Sequence, residues 1–412
     1  MNKFLTAFCC FFGILLFTGC LKDECANTYT IYMPVTKTLS QVRSEIKSMA
    51  PQPLQKTGKF FLYGSYIFLN EVEKGIHIID NSNAAAPKNI AFIAVPGNMD
   101  IAVKGNYLYA DCYTEMVVFD ISDPKNAMVK KYVPNTFPER ALFYNTTNPD
   151  SAKVIVSYTQ RDTTVNCDVY QRWSNCPNCM MLTASGAAFF AAAPAGIAGS
   201  MARFSIVNNW LYSVSTSQLK AFDVADGGDP KLASTKNVGW NIETIYPFKN
   251  KLFLGSTSGM FIFNTDNPAE PVREGMFSHM RACDPVVADN NIAYVTLRSG
   301  TFCQGFNNQL DVLSVSNTLQ PAFLKTYSMT NPHGLSKDGD LLFICDGKGG
   351  FKIYNAKDPM NLQLLRIFPA LESFDVITTN NKAMVVAKDG LYQFDYSNIK
   401  HIQLISKLTI EN

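Results

Sequence analysis

From residue 54 onward the chain repeats itself about every 40 residues, and this constrains the fold more than any other feature. The recurring phrase is an apolar run that closes on Asp, Asn or Ser and passes into a polar turn, usually with a proline. It ends at Asp80, Asp120, Asp223, Asn264, Ser314, Asn355 and Asp395, at intervals of 40, 103, 41, 50, 41 and 40 residues. The long interval holds a degenerate unit (Arg140-Ala141-Leu142-Phe143-Tyr144, then Lys153 to Gln160) and an insertion. Seven clear units and this one give eight. Each unit parses into four short strands; in the second they are Asp100–Val103, Tyr107–Asp111, Met116–Ile121 and Met128–Tyr132, separated by turn residues. Four strands per repeat with no helical period predict an all-β chain, a β-propeller of about eight four-stranded blades. A seven-bladed ring follows instead if the third unit is an insertion. A solenoid would need polar terminal caps, whereas the first and last units here are as apolar as the middle ones.

Residues 1–19 read as a signal peptide. Lys3 precedes an apolar run, Phe4 to Phe17, that is short for a membrane span. Leu16-Phe17-Thr18-Gly19-Cys20 resembles a bacterial lipobox, which implies lipidation of Cys20. Leu21-Lys22-Asp23-Glu24 resembles the signal that carries some Gram-negative lipoproteins to the cell surface. The expected location is therefore the cell envelope, as a surface-exposed outer-membrane lipoprotein that meets the membrane through the Cys20 anchor only. Residues 20–53 read as a tether with a strand at Thr28–Val35 and a helix at Thr38–Met49, where Thr38 and Gln41 suit a capping box. The propeller then occupies 54–412.

Hydrophobic residues make up 47% of the chain and charged residues 17%, enough for a large core. The formal charge of +2 lacks the clustered basic excess that nucleic-acid binding requires.

The Val117-Val118-Phe119-Asp120-Ile121-Ser122-Asp123-Pro124 phrase and its copies resemble the LVIVD-repeat family of secreted bacterial propellers, over essentially 54–412. The resemblance implies fold and export, and neither a reaction nor catalytic residues.

The strand-ending acids Asp80, Asp120, Asp223 and Asp395 lie on separate blades, too far apart to share a calcium ion, and read as caps of the turns that follow. Cys167, Cys176 and Cys179 lack a fourth zinc ligand nearby and read as a local disulfide with a spare thiol. Cys112 and Cys345 read as buried thiols. No metal or cofactor is expected. The four histidines (77, 279, 333 and 401) form no recognisable catalytic order, and nucleophile-elbow, zinc-protease and phosphate-loop motifs do not occur.

Aligning the units on one another singles out the residue that opens each first strand, at one mouth of the central channel. That column reads Lys59, Asp100, Arg140, Arg203, Glu243, Asp284, His333 and Asp375, with 243, 284 and 333 shifted by one position. Trp240 enters at the same mouth, as do the insertions Ala184–Ser200 and Ser299–Asn308, and Cys283 could pair there with Cys303. One reading is a self-compensating ring of salt bridges. Another is a ligand site built on that ring, since concave mouths with convergent polar groups favour binding. The leading expectation is a binding propeller for a glycan or a protein through this mouth. The rivals are a protein–protein scaffold and a hydrolase or lyase on extracellular polymers using Glu243, Asp284 and His333.

Overall fold

The computed structural model describes residues 26–141, 152–166, 200–278, 285–299 and 308–411. The chain divides into a ring (Thr36–Val156 with Phe189–Asn412) and a smaller unit (Met1–Val35 with Ser157–Ala188). The ring is a seven-bladed β-propeller in which each blade is a four-stranded antiparallel sheet in simple chain order. The first, innermost strands are Thr57–Tyr63, Ile101–Lys104, Phe204–Val207, Ile242–Phe248, Val286–Asp289, Leu335–Asp338 and Ser373–Thr379, for blades 1 to 7. The outermost are Lys88–Ala94, Met128–Val133, Lys231–Asn237, Val272–Ser278, Ala322–Ser328, Gln363–Phe368 and Gln403–Thr409.

The expected count of eight is thereby corrected to seven, the alternative. Lys153–Asn166 builds no blade: it pairs with Ala26–Thr38 in a separate two-stranded sheet. Within that sheet Thr28 bonds Thr164 at 2.9 Å and Thr30 bonds Asp162 at 2.7 Å. The first strand of blade 2 lies directly against that of blade 3, so no blade fits between them. The tether helix is also shorter than expected. The capping box at Thr38 and Gln41 forms, but the helix spans only Leu39–Arg43. Lys47–Met49 is taken instead as a fifth strand on the edge of blade 1, where Ser48 lies opposite Ile93. Tertiary pairing has overridden a helical period of modest length.

Alternation along the strands explains the packing, because one face of each sheet meets the preceding blade and the other the next. Phe253, Met260 and Ile262 of blade 4 pack with Val286, Ala293 and Val295 of blade 5 in one such layer. The third strands are mostly apolar because both their faces are covered; Ile76, Ile78 and Ile79 are all fully buried. Every blade comes from one continuous stretch of chain, so the ring closes without strand exchange. Met384, Val386 and Leu391 of blade 7 pack on Phe60, Ile67 and Ile79 of blade 1. The Glu411 amide donates to the Leu54 carbonyl at 2.8 Å, and the Asn81 and Gln393 amides exchange bonds of 3.0 and 2.7 Å.

Two devices recur from blade to blade. The turn acids act as expected: Asp80, Asp120, Asp223 and Asp395 accept backbone amides of Ser82, Ser122, Ala225 and Ser397. A second cap follows three residues later at Asn83, Asp123, Asp226 and Asn398. Each outermost strand also carries a register shift near its start, as between Val129 and Lys131 or between the partners of Ile262 and Phe263. Such bulges bend an edge away from pairing with foreign strands.

Candidate functional site

The loops that enter the first strands and those that join second to third strands share one end of the channel. Of the expected column, Lys59, Asp100, Arg203, Glu243, His333 and Asp375 stand there on blades 1, 2, 3, 4, 6 and 7. Asp284 of blade 5 lies outside the described residues, as do Cys20, Cys167, Cys176, Cys179, Cys283 and Cys303. Blade 5 supplies Arg298, from the end of its second strand, which the sequence column does not contain. Arg140 belongs to no blade. It sits in a short 3-10 turn, Pro138–Arg140, and binds the Asp111 carboxylate at 2.5 Å and the Gly97 carbonyl at 2.7 Å.

The ring residues are turned on one another. The Lys59 ammonium meets Asp100 at 2.6 Å, and the same carboxylate accepts the Arg203 backbone amide. Burial lowers the Lys59 pKa and raises that of Asp100, and the ion pair opposes both shifts. Burial also raises the Glu243 pKa, against the cations Arg203, Arg298 and Lys59. The Arg298 guanidinium contacts both ring nitrogens of His333, one of them at 3.1 Å. Burial and that cation hold the imidazole well below its usual pKa, so it stays neutral. Charge thus alternates in sign from Lys59 round to Arg298.

Asp375 departs from this pattern. Fully buried, it has no hydrogen-bond partner among the described residues on either carboxylate oxygen, although the amides of Val376 and Ser200 lie toward it. Burial pushes its carboxyl well above the usual range. Only a glycine at position 334 admits the group, since a Cβ there would stand 1.9 Å from its Oδ1.

The chain itself covers this ring. Ser200–Arg203 leads into blade 3, yet the Ser200 hydroxyl accepts the amide of Leu335 in blade 6 at 2.9 Å. The Ala202 carbonyl accepts the amide of Ile245 in blade 4 at 2.8 Å, and Met201 is buried. Four residues therefore cross the channel. Lys59, Asp100, His333 and Asp375 have 6, 2, 5 and 0% exposure, while Arg203 and Glu243 stay partly exposed.

A set of carboxylates near the ends of second strands goes beyond the expected column. Glu71 accepts the amides of Gln55 and Lys56 at 3.0 and 2.5 Å. Asp111 accepts those of Met99 and Asp100 at 2.7 and 2.8 Å, and Asp346 those of Thr330 and Asn331. Each ties down the loop entering its own blade. Their signal in the sequence is a carboxylate within one residue of the end of a buried apolar strand, at slightly different offsets in each repeat.

Trp240 lies on the rim outside the ring. It is 82% exposed, more than any other large apolar side chain among the described residues. Its loop is nonetheless fixed. The amides of Val238 and Ile242 donate to Ser217 and Thr216 of blade 3 at 2.9 and 3.0 Å. The Asn241 carbonyl accepts the Thr257 amide at 3.2 Å, and Asn241 takes a left-handed φ of 52°.

Cys112 and Cys345 are buried free thiols. Among the described residues no group of three or more His, Cys, Asp and Glu is arranged to hold a metal ion.

Comparison with known proteins bears out the repeat. The family model of the LVIVD repeat matches residues 97–133, which is blade 2 with its entering loop. No curated protein matches the chain. Several solved structures share the fold. A protein from Lactobacillus plantarum is similar at TM-score 0.53 and 12% identity, covering 85% of this chain and 98% of that one. Sqt1 of Saccharomyces cerevisiae is similar at TM-score 0.51 and 10% identity, covering 89% and 88%. A functionally unknown protein from Desulfotomaculum acetoxidans is similar at TM-score 0.51 and 12% identity, covering 82% and 92%. At these identities the likeness is one of fold alone.

Proposed function

We propose that this LVIVD-repeat propeller is a docking module of the bacterial cell envelope that binds a protein partner through the rim around Trp240. The observation that carries this reading is an indole left in water on a loop pinned to two blades. A Trp side chain offers a large apolar surface with a hydrogen-bonding tip, and such residues dominate the energetics of protein interfaces. Fixing the loop beforehand removes part of the ordering cost of association. The ring beneath supports a structural role: Lys59 pairs with Asp100, Arg298 holds His333, and Ser200–Arg203 bonds across to blades 4 and 6. That favours a broad contact across the rim over a glycan held inside the channel. Of the residues a hydrolase reading would use, His333 is buried, neutral and engaged by Arg298, Glu243 is partly exposed among the cations Arg203 and Arg298, and Asp284 lies outside the described residues.

The test is recovery of envelope proteins cross-linked to the full chain, compared with Trp240→Ala. The account expects the variant to keep its stability within about 0.5 kcal/mol, as an exposed substitution should, and to lose the partner. Recovery of the same proteins by the variant would contradict it. The lipobox-like segment supports anchoring through Cys20. Labelled palmitate should enter the chain and fail to enter Cys20→Ala; equal labelling of both would rule the anchor out.

A further inference from the structure

We infer that a cleft between blades 3 and 4, at the channel end opposite the mouth, is a binding site for a pyranose sugar residue. The cleft measures about 420 Å³, within the range of small-molecule sites. Trp210 forms one wall, and Asn208, Lys249, Asn250, Thr265 and Asp266 stand around it. These residues come from the turns joining first to second strands in both blades and from the turn before the last strand of blade 4.

The chemistry is that of a ring with one apolar face and a fringe of hydroxyls. The indole is half-buried and can stack on the C–H face of a pyranose. Around it the polar groups are divided between fixed and free. Asn250 donates to Asp266 at 2.5 Å and Asn264 donates to its other oxygen at 2.9 Å, so the Asp266 carboxylate is held in place with acceptor capacity left over. Among the described residues no hydrogen bond engages the Asn208 side-chain amide, the Thr265 hydroxyl, the Lys249 ammonium or the Trp210 indole N–H. The Lys249 ammonium lies over the Phe248 ring at 5.1 Å but keeps its hydrogen-bond donors, and donors and acceptors of both kinds on one rim suit hydroxyl groups, each of which gives and takes a hydrogen bond.

The neighbouring junction shows that such a cleft is not a necessity of the fold. Between blades 2 and 3 the equivalent aromatic, Tyr107, is capped by the turn at Gly227 and Gly228. There a Cβ would stand 2.4 and 3.1 Å from its ring. Between blades 3 and 4 the corresponding turn presents Pro268, whose carbonyl is held by the Tyr212 hydroxyl at 2.9 Å, and the space beside Trp210 stays open.

The experiment is saturation-transfer NMR on the intact protein with methyl α-glucopyranoside, methyl β-galactopyranoside, N-acetylglucosamine and glucuronic acid at millimolar concentration. Transfer to the ring C–H protons of at least one sugar is expected. Trp210→Ala should abolish it and the exposed-turn variant Asn208→Ala should weaken binding about tenfold, while Trp240→Ala leaves it unchanged. Because Trp210→Ala also removes packing, Asn208→Ala and Lys249→Ala, read alongside thermal melts, decide the matter if that variant does not fold. No transfer from any of the four sugars would overturn the site. So would transfer that survives both Trp210→Ala and Asn208→Ala.

Discussion

Asp375 shows what the ring costs. A carboxylate with no hydrogen bond in a closed channel is unfavourable, and its raised pKa expresses that as pH dependence. Below the unfolded value of 3.8 the group is protonated in both states and costs little. As the pH rises past that value the unfolded chain ionises while the folded protein holds its proton, so stability falls until the folded pKa is passed. Asp375→Asn should therefore stabilise the protein at pH 7 by about 1–3 kcal/mol and have little effect below about pH 4. Denaturant melts at both pH values check this, and equal effects at both would refute it. Aligning the repeats exposes this residue, together with Lys59, Asp100, Arg203, Glu243 and His333, because a charged or imidazole side chain recurs within one residue of the same mouth position in each unit. Arg298 escaped because it reaches the ring from the end of a second strand. The clamps Glu71, Asp111 and Asp346 escaped because their offsets from the strand end differ by a residue. The Trp210 cleft depends on which turn of the next blade lies over it, and no single repeat encodes that.

At the level of elements, the turn between second and third strands sets a backbone requirement in blades 1, 4 and 7. Gly390 opens the third strand of blade 7 with φ of 155°, and a Cβ there would stand 2.3 Å from the Leu408 carbonyl oxygen. Gly390→Ala must strain the backbone or push the last strand away, and should cost about 1–3 kcal/mol. A thermal melt against Gly105→Ala isolates the clash: Gly105 also has a left-handed φ, of 57°, but a Cβ there meets nothing within 4 Å, so its loss should be the smaller one. Equal losses in the two would argue against the clash. Strand order and turn chemistry were readable because the repeat states them seven times. The degenerate unit misled because Lys153–Asn166 has the alternation of a blade strand, and alternation does not say which strand will be its partner. Lys47–Met49 reads as helix for a similar reason: the free edge of blade 1 that recruits it, Lys88–Ala94, is specified far along the chain, with Ser48 opposite Ile93.

At the scale of the molecule, the blades build a ring whose centre is lined by opposed charges and crossed by its own chain, and whose rim carries Trp240, exposed on a loop tied to blades 3 and 4. Convergence of the charged column at one mouth is legible in the sequence, but the crossing by Ser200–Arg203 is not, since that segment contacts blades 4, 6 and 7 far along the chain. The central claim is that partners meet this protein at the rim. The most direct measurement places a photo-crosslinking amino acid at position 240 of the chain in intact cells, with position 381, in a turn at the other end of the channel, as the comparison. The account predicts a discrete cross-linked protein from position 240 and none of that identity from position 381. The same product from both positions, or from position 381 alone, would contradict it.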